Sequence, residues 1–176
     1  MNNNIPKYFI TASLFFMILG AVEGMMFPSK FQFMSFYSAV FGLPPEYIKP
    51  FFGTFVKKIH THINLIGWVG SSIMGILYYI TPLMNRGGYQ HNPKLGWLNF
   101  LCHVSGLVLF TLGFHMVGVT GLSSGETPGS EAFRAVVAPC KVFTTTGGIL
   151  ITLSTLIFTY NTVRTLFGKG ERKDEL

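Results

Sequence analysis

The sequence predicts an all-α integral membrane protein, a four-helix bundle with an interfacial segment between spans one and two. Of its 176 residues, 49% are hydrophobic and only 11% are charged, whereas a soluble domain carries about 25% charged residues. Four apolar runs are each long enough to cross a bilayer, which takes about 20 helical residues. The net charge of +6 comes from short basic groups between these runs. That pattern is typical of topology signals and does not indicate nucleic-acid binding.

The four runs predict a single membrane domain over residues 1–176. We expect the spans at about residues 8–27, 59–83, 95–120 and 142–167. Basic residues flank both ends of the spans, with an excess in the short segments on the side of the two termini. The positive-inside rule therefore places both termini in the cytoplasm, and we expect a bacterial inner membrane.

The connection over residues 27–56 is rich in Phe, Tyr and Pro and poor in charge. Pro44 and Pro45 interrupt it, so it is too broken to form a span. It is either a short helix lying in the outer interface, held there by aromatic side chains, or an apolar linker that covers the bundle. The other long connection, residues 122–139, is polar, and a short helical turn is expected after Ser130.

The chain has five histidines: His60, His62, His91, His103 and His115. His91 falls in a short inner loop, where we expect a solvated side chain. The second and third spans run in opposite directions, so His60 or His62 and His115 lie at a similar depth near the outer surface. His103 lies about 18 Å from His115 along the helix, at about 1.5 Å per residue, and is out of reach.

Helical spacing assigns the two neighbouring histidines to different faces. His60 shares its face with small and polar residues, which favour contacts inside a bundle: Asn64, Gly67, Ser71, Gly75 and Tyr78. His62 shares its face with residues that suit lipid or a partner subunit: Ile66, Val69, Ile73 and Ile76. One metal ion is therefore not expected to bind both. Face favours His60 and depth favours His62, so both remain candidates.

Two histidines on facing helices, with glycines to make room, provide the axial ligands that haem b needs. The iron ligands would be His60, or His62 in its place, and His115. Basic side chains at the same surface can meet the haem propionates: Lys57, Lys58, Arg134 and Lys141. Two alternatives stay open. The histidines either only hydrogen-bond to nearby loops, or His60 and His62 bind copper together with Met25 or Met26.

The second span also resembles a known family. The residues that carry the resemblance are His60-Thr61-His62, Gly67, Met74-Gly75, Tyr78 and Pro82-Leu83-Met84. They resemble the second span of the large subunit of haem-copper oxidases and nitric oxide reductases, and of short four-span proteins described as oxidase subunit I-like. Residues 14–21 resemble the first span of that family, so the resemblance covers about residues 8–84. It implies that a histidine near the outer end of the second span ligates a low-spin haem.

The family's large subunit has many more spans and takes its other metal ligands from its late helices. The fourth span here contains no histidine, so no oxygen-reducing or nitric-oxide-reducing centre is expected on this chain alone. The resemblance therefore implies a haem-b electron-transfer subunit, not catalytic alone, within a respiratory oxidoreductase complex. It would carry electrons between quinone or a cytochrome c and a catalytic partner. The alternative is a cofactor-free accessory subunit, and its neighbours would be respiratory subunits or further copies of the chain.

Overall fold

The structure, a computed structural model, describes residues 4–85 and 88–168, with the backbone alone at residues 30–34. This part of the chain forms five helices: α1 Ile5–Met26, α2 Lys30–Phe41, α3 Pro45–Met84, α4 Pro93–Ser123 and α5 Glu131–Phe167. All of them except α2 are long and apolar enough to cross a membrane. The predicted all-α class with four spans is therefore confirmed.

Local sequence signals explain why α3 and α5 begin well before their predicted spans. At α5, the Ser130 side chain accepts a hydrogen bond of 3.0 Å from the backbone N–H of Phe133, and Glu131 lies in the first turn, where a negative charge is favourable. At α3, Pro45 occupies the start of the helix, where its fixed φ angle suits the first turn. The turn expected after Ser130 is thus the beginning of a long helix.

The connection between the first two spans is helical and also covers the bundle. Helix α2 ends at Gly42, whose φ of 63° lies in the left-handed region. Tyr37 and Phe51 are buried in a cluster that also contains Leu122 and Phe133 from α4 and α5. Both interpretations of residues 27–56 therefore hold in part. We call this end, together with residues 124–130, the long-connection end, and the end with residues 85–92 the short-loop end.

Helix α3 contains two π-helical segments, Phe52–Val56 and Ile63–Gly70. Between them lies the short α-helical stretch Lys57–His62, which carries both candidate histidines. A π-helix bonds each N–H one residue further back than an α-helix does, so it shifts the helical face of the residues that follow.

Small residues set the helix contacts. The predicted interior face of α3 is confirmed, because Gly67, Ser71, Gly75 and Tyr78 are all buried. Gly67 lies against Phe16 of α1 and Leu107 of α4. The side chains of Ile73 and Ile76, on the opposite face, are exposed as expected for contact with lipid. Helices α4 and α5 form the closest pair, in which the backbones meet at glycines such as Gly106 and Gly147.

Candidate functional site

His60 lies on α3 at the long-connection end, and its side chain faces α1. Its ring centroid is 5.5 Å from that of Phe27, and a Cβ atom added at Gly24 would lie 3.3 Å from its Cε1. The side-chain amide nitrogen of Asn64 lies 3.2 Å from Nδ1 of His60 and 2.9 Å from the backbone carbonyl oxygen of His60. The two amide hydrogens can serve both acceptors, which leaves the ring proton on Nε2.

His62 contacts α4 and also lines a groove on the surface of α3; that it faces lipid or a partner subunit stays a prediction. Its ring centroid is 4.7 Å from that of Phe110 and 6.1 Å from that of Phe114. Helical spacing alone could not show this contact, because it depends on how closely α4 approaches α3 at Phe110.

The hydrogen bond of His62 fixes its tautomer. Its Nδ1 lies 2.7 Å from the carbonyl oxygen of Lys58. A carbonyl can only accept, so Nδ1 carries the proton and the neutral ring keeps a free lone pair on Nε2. A metal-ligating histidine usually donates its second N–H to such an acceptor. His62 thus has the tautomer that suits ligation through Nε2, whereas His60 needs the Asn64 amide to turn first.

His115 lies on α4 among aromatic side chains of the long connection. Its ring centroid is 5.4 Å from that of Tyr37, 5.7 Å from that of Phe41 and 5.4 Å from that of Phe51. The last two turns of α2 and the first turns of α3 therefore surround it. This surrounding was not predictable from sequence, because it depends on how the long connection folds back on the bundle.

The two histidines predicted to hold one iron, His60 and His115, have different neighbours. Phe27, which contacts His60, packs against the same cluster that contains Tyr37 and Phe51, which contact His115. Aromatic rings therefore connect the two imidazoles. The pair fits haem by ligand type, since both are imidazoles at one end of the bundle. By packing, it fits only after these rings move.

Glu23 on α1 is a further functional candidate. Its Oε2 atom is buried and has no hydrogen-bond partner. Burial raises the pKa of Tyr37 to about 12, and the negative charge of Glu23 adds to this effect. Since Tyr37 also contacts His115, a carboxyl group, a phenol and an imidazole follow one another here. The unusual charge in an apolar span was the available sequence signal.

The basic side chains divide between two places. Lys57 and Lys58 are exposed and line a surface groove together with His62. The ammonium group of Lys58 is 5.8 Å from the ring centroid of Phe114. Arg134 is exposed in the first turn of α5. The two lysines therefore accompany His62, while His60 faces α1.

A copper site that uses both α3 histidines receives no support from their directions. His60 contacts Phe27 just after α1, whereas His62 contacts Phe110 on α4. Met25 is exposed. Within residues 4–85 and 88–168, no three side chains of His, Cys, Asp or Glu are grouped closely enough to hold a metal ion.

The other two histidines are buried. The prediction that His91 is solvated is wrong, because its Nε2 lies 2.7 Å from the hydroxyl of Thr81 and its Nδ1 2.7 Å from that of Thr165. His103 places Nε2 3.0 Å from the Ser71 hydroxyl and 3.2 Å from the Ile66 carbonyl oxygen. Threonines at the ends of two helices were the only sequence signal for the contacts of His91.

Comparison with known proteins gives the same family that the second span resembles. The family described as "Cytochrome C and Quinol oxidase polypeptide I" matches residues 4–174. Cytochrome c oxidase subunit 1 of Rhodobacter capsulatus is 32% identical over 111 residues, which cover 58% of this chain and 21% of the relative. A cytochrome c oxidase subunit 1 homolog of Agrobacterium tumefaciens (strain T37) is 25% identical over 118 residues, 62% of this chain and 22% of the relative.

The matched region thus spans about a fifth of the length of these relatives. No solved structure matches the chain significantly.

Proposed function

The chain belongs to the cytochrome c and quinol oxidase polypeptide I family, and from this premise we propose that it binds haem b and transfers electrons in a respiratory complex. The observation that carries the proposal is the family match over residues 4–174, which includes both histidines of α3. Four apolar helices make it an integral membrane protein of the haem-copper oxidase type.

In this proposal His60 supplies one axial ligand, because it faces the interior of the bundle, and His62 is its competitor with the better tautomer. The second ligand is His115 or a residue of another subunit. For His60 to ligate through Nε2, the Asn64 amide must turn so that its oxygen accepts the Nδ1 hydrogen. That turn gives up the bond to the His60 carbonyl, a loss of about 1 kcal/mol. Bound haem would supply one-electron transfer in an apolar site.

The basic residues have separate roles. Arg134, Lys57 and Lys58 were predicted to meet the propionates. The lysines line a groove beside His62, so they reach a propionate most directly if His62 is the ligand. Tyr37 contacts His115 and is influenced by the charge of Glu23, so these two groups would hold a proton near the redox centre.

We place the reduction of oxygen or nitric oxide on a partner, since α5 contains no histidine. The four spans would form one domain over residues 1–176. The electron donor would be a quinone or a cytochrome c, and the neighbours would be other subunits or further copies of the chain. The proposed location is a bacterial inner membrane with both termini in the cytoplasm.

A second candidate is a cofactor-free accessory subunit of such a complex. The specific observation in its favour is the aromatic packing of Tyr37, Phe41 and Phe51 around His115. A haem bound there must displace close ring contacts, each of which stabilises the fold by about 0.5–1.5 kcal/mol beyond the burial of its area.

A pyridine haemochrome spectrum of the purified full-length chain shows whether haem b is bound and so separates the two functions. Pyridine replaces the protein ligands in that assay, so the axial ligands are identified from the visible absorption spectrum of the untreated protein. We expect a haem-b spectrum, which His60→Ala and His115→Ala abolish or convert to high spin because a coordinate bond is lost. His62→Ala should only shift it. Loss of haem in His62→Ala instead would identify His62 as the ligand. If His115→Ala alone keeps the low-spin spectrum in the purified chain, His115 is not the second ligand, and that ligand is another residue of this chain or of a further copy of it.

The same preparations should show equal helix content by circular dichroism, so that haem loss is not mistaken for unfolding. A wild-type protein purified without haem, and unable to bind added haemin, would favour the accessory function.

A further inference from the structure

A groove of about 390 Å³ runs along the surface of α3 at the long-connection end. It is lined by six residues of this helix: Gly53, Thr54, Lys57, Lys58, Thr61 and His62. Successive members lie one or three positions apart, so they occupy one side of the helix. The lining combines two ammonium groups, two hydroxyls and an imidazole, and it contains no carboxylate.

Two neighbouring contacts hold the cationic side of the groove in place. The ammonium group of Lys58 lies over the ring of Phe114 on α4, 5.8 Å from its centroid. His62 contacts Phe110 and donates its Nδ1 hydrogen to the Lys58 carbonyl. Both contacts join this side of α3 to α4. An anion that enters the groove therefore meets positive charge that is already oriented, which lowers the entropic cost of binding.

By helical spacing, exposed apolar side chains follow Thr61 and His62 on the same side of α3 toward the centre of the span. Leu65 and Ile73 on α3 are 61% and 51% exposed, and Ile76 is 51% exposed. From Lys58 to Ile73 the helix rises about 22 Å, at about 1.5 Å per residue, which is enough to lie along an acyl chain. A charged pocket at the edge of an apolar span, followed by an apolar strip, has the polarity pattern of a phospholipid.

We propose that this groove binds the phosphate headgroup of an anionic phospholipid, with an acyl chain along Leu65 and Ile73. Lysines are compact charges that suit phosphate oxygens. An anionic headgroup lacks the amine that would offset its phosphate charge, so it should be preferred over a zwitterionic one. The inference does not depend on haem.

Gly53 offers a steric test that leaves the charge unchanged. A Cβ atom added there meets no other atom of the described chain within 4 Å, so a larger side chain enters the groove and not the protein core. Gly53→Leu should therefore obstruct the headgroup without disturbing the packing. Lys49 provides a matched control, since it is an exposed lysine of the same helix outside the groove.

The experiment is native mass spectrometry of the full-length protein released from nanodiscs that contain phosphatidylcholine and phosphatidylglycerol in equal amounts. We expect the wild type to retain phosphatidylglycerol preferentially. Lys57→Gln with Lys58→Gln should reduce this preference by about fivefold per lysine. Gly53→Leu should reduce it as well, and Lys49→Gln should leave it unchanged.

Equal preference in the wild type and the double lysine variant would overturn the proposal, as would an equal loss in Lys49→Gln. Glycerol phosphate should displace the lipid only weakly, because it lacks the acyl chains. Equal competition by glycerol phosphate would show a phosphate site without a lipid strip and would overturn the lipid assignment.

Haem content is recorded on the same samples. If the double lysine variant changes haem content without a change of lipid preference, the lysines bind the haem propionates and not a lipid headgroup.

Discussion

At the scale of single residues, His91 shows how one buried ring joins two helices. The hydroxyl of Thr81 lies 2.7 Å from the carbonyl oxygen of Leu77. The hydroxyl of Thr165 likewise lies 2.7 Å from the carbonyl oxygen of Asn161. Each hydroxyl has one hydrogen, so both face the ring as acceptors while they donate to these carbonyls. A neutral imidazole has a single N–H, and therefore one threonine must turn its hydrogen toward the ring.

This arrangement predicts a pH-dependent stability. Burial lowers the pKa of His91, although hydrogen bonds to backbone carbonyls oppose the effect. As the pH falls, the unfolded state binds the proton first. The stabilisation is therefore complete above the unfolded pKa of about 6.5 and is lost as the pH falls toward the lower folded value. Thermal unfolding in detergent should show a lower midpoint at about pH 5.5 than at about pH 7.5.

His91→Gln should flatten this dependence and cost about 1–3 kcal/mol at neutral pH, because threonine partners are left unsatisfied. An unchanged pH slope in the variant would assign the dependence to another group.

At the scale of helices, adjacent glycines of α5 give a matched pair. A Cβ atom at Gly147 would collide with the backbone nitrogen of Phe110 on α4, whereas one at Gly148 would lie 3.8 Å from the Phe110 ring, an ordinary contact. Gly147→Ala should therefore destabilise the protein by about 1–3 kcal/mol through overpacking. Gly148→Ala should be neutral or stabilise by up to about 1 kcal/mol, because alanine favours helix. Thermal midpoints in detergent measure both, and equal midpoints would contradict the close approach of the two helices.

The same scale shows what sequence patterns could predict. Apolar length and helical periodicity were sufficient for the four spans and for the buried face that contains Gly67 and Tyr78. They were insufficient for the contact of His62 with Phe110, because that contact depends on how closely α4 approaches α3. The surroundings of His115 and His91 were missed for another reason. Their neighbours come from distant parts of the chain, Tyr37 and Thr165, and local periodicity carries no information on such contacts.

At the scale of the whole molecule, the orientation in the membrane stays a prediction. The positive-inside rule places residues 124–129 outside and residues 88–91 inside. In a background that lacks Cys102 and Cys140, a membrane-impermeant thiol reagent added to intact cells should label Thr127→Cys and not Gln90→Cys. Permeabilised cells, in which both should react, control for accessibility. The reverse pattern in intact cells would place the termini outside.

The length of α5 has a practical consequence for imaging the molecule. Its 37 residues extend about 55 Å, against a hydrocarbon core of about 30 Å. Tilt alone does not absorb the difference, since spans tilt by about 20° on average. The first turns, with Glu131 and Arg134 exposed, therefore extend beyond the hydrocarbon core, where Phe133 packs with Tyr37 and Phe51 of the long connection. In electron micrographs of lipid-embedded particles, this projecting end would mark one face of a protein otherwise hidden in the bilayer.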